Sequence, residues 1–145
     1  MIRVGFLTMT LLMCALAAPD TDAPLSTRVA DSHVAIAADK PNEMTFPATQ
    51  ARFVRFVIHE SSQSEPCIDE LEIYDSDGQM NLALAAAGAK ATASSCLTGY
   101  PIHQIAHLND GRYGNGHSWI AAGTTGEWAQ IELPRPAHVS KLVFS

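Results

Sequence analysis

Arg52-Phe53-Val54-Arg55-Phe56-Val57-Ile58-His59 is the stretch on which the fold reading turns. It mixes aromatic and β-branched residues, which suit a pleated, packed surface. Phe53, Val57 and His59 share one face, and Val54, Phe56 and Ile58 share the other. Both faces are largely apolar, so the spacing predicts an interior strand. Downstream, Ile68-Asp69-Glu70-Leu71-Glu72-Ile73-Tyr74 alternates with a period of two, and Asp75-Ser76-Asp77-Gly78 closes it as a turn. Trp128-Ala129-Gln130-Ile131-Glu132-Leu133 alternates again. Pro134 and Pro136 are expected to end that strand, and Val139 to Phe144 to form another.

Between these runs the helical signal is weak. Asn81 to Ala93 is rich in alanine, yet Gly88 interrupts it and no polar face develops at helical spacing. A short extended segment fits at least as well. Ile102 to Leu108 has room for one helical turn, and Asn109-Asp110-Gly111 and Gly114-Asn115-Gly116 mark a turn-rich loop. Short strands divided by Pro and Gly turns predict an all-β fold, an antiparallel β-sandwich.

The 145 residues suffice for one domain, and a 47% hydrophobic, 17% charged composition is that of a folding chain. Nine basic against fifteen acidic residues give a net charge of −6. That balance excludes a broad electrostatic grip on nucleic acid and disfavours an anionic membrane surface.

Residues 1–18 read as a secretion signal. Arg3 supplies the positive end, Val4 to Leu16 the apolar core, and Ala15-Leu16-Ala17 a small-x-small cleavage site. A lipoprotein at Cys14 is the alternative, although Met13 is bulky where a small residue is wanted. Residues 19–27 form a polar linker, and 28–145 the domain. Loss of Arg3 takes the basic count from 9 to 8 and the net charge from −6 to −7. Export leaves Cys67 and Cys96, which in an oxidising compartment are expected to form a disulfide; two separately buried thiols are the other reading. Lys141 to Ser145 reads as the middle of a strand, so the chain is expected to belong to a longer polypeptide with further domains.

Three stretches resemble one family. Asn81-Leu82-Ala83-Leu84 with Ala91-Thr92-Ala93-Ser94-Ser95 is similar to the opening of a discoidin domain, also called the coagulation factor V/VIII type C domain, of galactose-binding-like fold. His107-Leu108-Asn109-Asp110-Gly111-Arg112-Tyr113-Gly114-Asn115 and Ser118-Trp119-Ile120 resemble its Asp-Gly loop and first tryptophan. Trp128 to Leu133 with Ala137 to Phe144 resembles the next two strands. The resemblance covers Asn81 to Ser145. Ala51 to Phe56 and Ile68 to Tyr74 are similar to the family's closing strands but stand before the opening ones. A closing-type hairpin over 51–75 that completes the same sandwich, ahead of the opening segment 81–95, accommodates that order.

The resemblance implies an eight-stranded jelly-roll, incomplete at its C-terminus, with ligands held by loops at one end and often a structural Ca2+. Calcium takes six to eight oxygen ligands. The carry-over assigns it Asp110, Ser118 and Glu70, with Asn115 nearby. Without such an ion Glu70 is a solvated strand residue and Asn109-Asp110-Gly111 a plain turn. The histidines suggest zinc instead: His103 and His107 stand at i, i+4, and His117 is near, but no Glu follows His103 as a metalloprotease would need. Trp119 and Trp128 are expected in the core rather than as sugar platforms. The loop residues Tyr100, His103, Arg112, Tyr113 and His117 combine aromatic surface with polar donors and suit a neutral glycan. Ser94-Ser95 lacks a nucleophile-elbow setting, and no phosphate-binding glycine loop precedes a helix. The sequence thus predicts a secreted, non-catalytic module for an extracellular glycan or glycoprotein. The alternatives are an adhesion module on the same fold or the targeting part of a secreted enzyme.

Overall fold

A computed structural model describes residues 40–62 and 64–145, together with 36–37 and the backbone of 6–14 and 27–35. Eight strands and two short 3-10 turns make up the described residues. The strands are β1 (Phe6–Cys14), β2 (Thr27–Ala35), β3 (Asn42–Glu60), β4 (Cys67–Ile68), β5 (Leu71–Asp75), β6 (Lys90–Ala93), β7 (Trp119–Ile120) and β8 (Thr125–Phe144); the turns are Ala85–Ala87 and Ile105–Asn109. Every pair of strands is antiparallel, so the fold is all-β. The main sheet runs β2-β1-β3-β8-β5, with β6 also on β8, and β4 pairs with β7.

β3 and β8 organise the molecule. β3 lies between β1 and β8, the interior position its two apolar faces predict. Its Val54, Phe56 and Ile58 are fully buried, opposite Ala129 and Ile131 of β8 and their neighbour Leu133. On the other face Arg55 donates to Gln130 at 2.9 Å and lies 4.1 Å over the Trp128 ring. Trp128 is therefore only partly buried, contrary to the core position expected of it, because it sits on the outward parity of β8. Trp119 is fully buried as expected.

Pro134 and Pro136 do not end a strand: β8 runs through them for 20 residues. They fall where the β3–β8 pairing jumps from Phe53↔Glu132 to Ala51↔Ala137, leaving a proline without an N–H no ladder bond to miss. A second jump lies between Thr45 and Thr49, around Pro47. Beyond these breaks β8 pairs with β5 rather than β6, and its inward residues are Val139, Leu142 and Phe144. Phe144 stands 4.8 Å from Phe56, ring to ring. These two residues belong to opposite ends of the β3–β8 ladder, so the far ends of the sheet pack on each other. Side chains of β3, β5 and β8 join Ala83, Ala89, Leu108 and Trp119 in one buried cluster.

The alanine-rich segment contains one 3-10 turn, Ala85–Ala87, which ends at Gly88 in the left-handed conformation (φ 93°), followed by β6. No long helix forms there. Phe6–Cys14, inside the predicted signal, forms β1 between β2 and β3. The rest of that signal and the linker, apart from Thr27, lie outside the described residues.

The expected Cys67–Cys96 disulfide is absent: both thiols are free. The strand order gives the reason. Cys67 pairs with Ile120 on one edge of β7, and Ala121 donates to Pro66 on that edge. Leu97, next to Cys96, donates to Ile120 O at 2.8 Å on the opposite edge. β7 thus separates the cysteines by two strand spacings, roughly 9.6 Å, whereas a disulfide needs Cα atoms within about 7 Å.

Candidate functional site

Two loops meet at one end of the sheet. One runs from Ser94 to Gln104, the other from Asp110 to Ser118. A parallel bridge joins His103 to Ser118, and Gln104 N donates to Ser118 O at 3.0 Å. Beneath them Trp119 donates its indole N–H to Ser95 O at 2.8 Å. Buried Asn109 donates to the Ala83 carbonyl at 2.7 Å, fixing the base of the second loop.

That second loop is held by carboxylates from the β4–β5 segment. Gly111 N donates to Glu70 Oε1 at 2.5 Å, Gly114 N to Asp69 Oδ2 at 2.7 Å, and the Tyr113 hydroxyl to Glu72 Oε1 at 2.8 Å. Tyr74 donates to the other Glu72 oxygen at 2.5 Å. Gly111 and Gly114 have φ of 78° and 100°, a region that side chains resist, and this lets their N–H groups turn toward the carboxylates. Glu70 and Glu72, two like charges two residues apart, thus each accept from donors of the loop. Glu72 raises its donors in turn: the Tyr74 hydroxyl is pushed up to about 12 by its bond to Glu72. Burial and the same carboxylate raise Tyr113 further.

Glu70 is the most perturbed acid. It is 1% exposed, and its Oε2 has no hydrogen-bond partner among the described residues. Burial pushes its carboxyl from 4.5 up to about 7; the Gly111 N–H opposes this, and the charges of Asp110 and Glu72 add to it.

The proposed calcium ligands separate into two groups. Glu70 and Asp110 are neighbours at the base of the loop. Ser118 is fully buried and its Oγ lies 2.8 Å from His103 Nδ1, on the side of Cys67, while Asn115 is exposed on the loop. Burial pushes the Cys67 thiol up, against its hydrogen bond with Ser118. The predicted ligand residues also divide. Tyr100 and Tyr113 are each 56% exposed, and Arg112 is exposed, but His103 is buried. His103 and His107 do not share a helical face, because the 3-10 turn begins only at Ile105. His107 instead faces His117, ring centroids 5.2 Å apart.

Beside Tyr113 opens a cleft of about 580 Å³, within the usual range for small-ligand sites. Ile36, Pro41 and Phe144 give it apolar wall; Lys40, Asn42 and Asp69 give it polar groups. Of the five predicted ligand residues, Tyr113 alone lines it.

No family model, no curated protein and no solved structure matches the chain.

Sequence reasoning missed the anchoring roles of Asp69 and Glu72, although the density of acids from Asp69 to Glu72 was visible. It also missed Glu127, which is buried near the first loop and accepts from Ser94 and, at 2.7 Å, from Ser95. Its parity was the available signal, since Glu127 stands two residues before Ala129 on the face that Ile131 and Leu133 also share.

Proposed function

We propose that this chain is an exported, non-catalytic carbohydrate-binding module on a discoidin-like β-sandwich, with its ligand in the cleft beside Tyr113. The cleft carries the reading. A pyranose has an apolar face and a rim of hydroxyls. Tyr113 and Phe144 offer aromatic and apolar surface, while Asn42, Asp69 and Lys40 offer donors and acceptors. Asp69 and Glu72 hold the Tyr113 loop by two bonds, so the aromatic wall is set in place before a ligand arrives. The acidic balance of the chain suits a neutral glycan or glycoprotein better than a polyanion.

A structural Ca2+ belongs to the proposal on Glu70 and Asp110 alone. The unpartnered Glu70 Oε2 is an oxygen that a hard cation would satisfy, and backbone carbonyls or water would supply the remaining ligands. Asn115 and Ser118 are not needed in it.

A glycan array probed with the chain, with and without chelator, tests the reading. Binding that is lost in Tyr113→Ala supports the cleft, and loss with chelator that added Ca2+ restores and added Zn2+ does not supports the calcium ion. Silence across all neutral glycans overturns the carbohydrate assignment.

A further inference from the structure

The Asp110–Ser118 loop and the 3-10 turn that leads into it each carry one imidazole that carbohydrate binding in the cleft does not use. His107, Asp110 and His117 each offer a ligand atom, and these atoms lie within 4.8 Å of one another. His107 comes from the 3-10 turn and His117 from the far end of the loop, so the fold, and not sequence adjacency, brings them together.

We propose that His107, Asp110 and His117 form a loop-surface site for a borderline divalent metal ion of the zinc class, with a fourth position open to water.

Three features support it. The donor set of two nitrogens and one carboxylate oxygen suits Zn2+ and its neighbours rather than calcium, which takes oxygen. His107 is already oriented: its Nδ1 lies 3.1 Å from the Ile102 carbonyl. A carbonyl only accepts, so Nδ1 carries the proton and Nε2 presents its lone pair, the arrangement that metal-binding histidines commonly show. His117 Nδ1 lies 3.1 Å from Asp110 Oδ2, so an imidazole nitrogen and a carboxylate oxygen already share one position that a cation can occupy. Asp110 is steadied by the Arg112 N–H on Oδ1 at 2.8 Å, which leaves Oδ2 as the ligand oxygen. Tetrahedral zinc with bonds of about 2.0–2.1 Å sets its ligands roughly 3.4 Å apart. The site must therefore close by at most about 1.4 Å, from the 4.8 Å limit. Gly114 and Gly116, between Asp110 and His117, give the chain the freedom to do so.

The site differs from the three-histidine set that the sequence suggests, because His103 Nδ1 is taken by Ser118 in the interior. Two of its residues, Asp110 and His117, are also named in the ligand readings above, but its test does not depend on a sugar.

The experiment is a titration of the whole chain with Co2+, a spectroscopic stand-in for zinc, read by visible d–d absorption and by quenching of Trp119 next to the loop. Competition with Zn2+ and with Ca2+ follows. His107→Gln and His117→Gln test the ligands separately, and His138→Gln, an exposed histidine on β8, is the control. Far-UV circular dichroism confirms that each variant folds. The expected result is one tetrahedral-type Co2+ spectrum in the wild type and in His138→Gln. Zn2+ displaces the ion and equimolar Ca2+ does not, and each loop variant binds at least tenfold more weakly. No saturable Co2+ binding in the folded wild type, or equal binding in all four proteins, overturns the proposal. The glycan array reads an independent quantity, so either assignment can fail alone.

Discussion

Glu70→Gln should make the protein more stable at alkaline than at acidic pH relative to wild type. The native carboxyl is raised from 4.5 to about 7, chiefly by burial. Between those values the folded chain holds a proton that the unfolded chain has released. Folding is therefore favoured by that proton below about pH 4.5, and the advantage is lost as pH rises toward 7. The span from 4.5 to about 7 corresponds to about 3 kcal/mol, an upper bound that local relaxation and water entry reduce. Glutamine keeps an oxygen for the Gly111 N–H and carries no charge, so it escapes this penalty. Urea unfolding of both proteins in chelator, at intervals between about pH 5 and 8, measures the gap. The variant's advantage should grow by about 1–3 kcal/mol across that range. A gap that is constant with pH, or one that shrinks, would refute the claim that Glu70 is charged at a cost in the native state.

Other consequences follow from the same packing. Phe56→Ala removes a fully buried ring packed at a tilt against Phe144 and should cost about 3–5 kcal/mol in urea unfolding. Asn109→Ala leaves the Ala83 carbonyl without its donor and should cost about 1–3 kcal/mol, read the same way. Because Cys67 and Cys96 are free, reductant should leave the melting temperature unchanged, and a thiol reagent should titrate both of them along with Cys14 in the unfolded full chain. A drop in melting temperature of several degrees on reduction would restore the disulfide. Cleavage of the proposed signal removes β1, the partner of Thr8↔Glu60 to Cys14↔Phe53 in the β3 ladder. N-terminal sequencing of exported protein should then begin near Ala18, and hydrogen exchange should be faster along the freed edge of β3 than in the full chain.

The strands were legible because their side-chain parity is local. Val54, Phe56 and Ile58 share one buried face, and Ala129, Ile131 and Leu133 another, as the period of two groups them, although the alternation did not say which face of either strand is buried. The course of β8 was not, because a proline breaks a strand only where its N–H is needed, and the β3–β8 register shift removes that need. The disulfide failed for a similar reason: cysteine count and compartment carry no information about which strand lies between the two residues. At the site, the loop and its Asp110 were legible from turn chemistry. The carboxylates that hold it were visible as acids, but their partners are backbone N–H groups about 40 residues away, which no spacing rule specifies. The His107–His117 pairing was hidden likewise, since a loop of glycines and turn residues has no periodicity from which to read a shared face.

The claim on which the functional account rests is that a sugar occupies the cleft walled by Tyr113. Amide chemical shifts of the labelled protein, followed during titration with a panel of neutral oligosaccharides, test it most directly. The account predicts saturable shifts concentrated at Asn42, Asp69, Tyr113 and Phe144. Shifts confined to another surface, or none with any sugar in the panel, would contradict it.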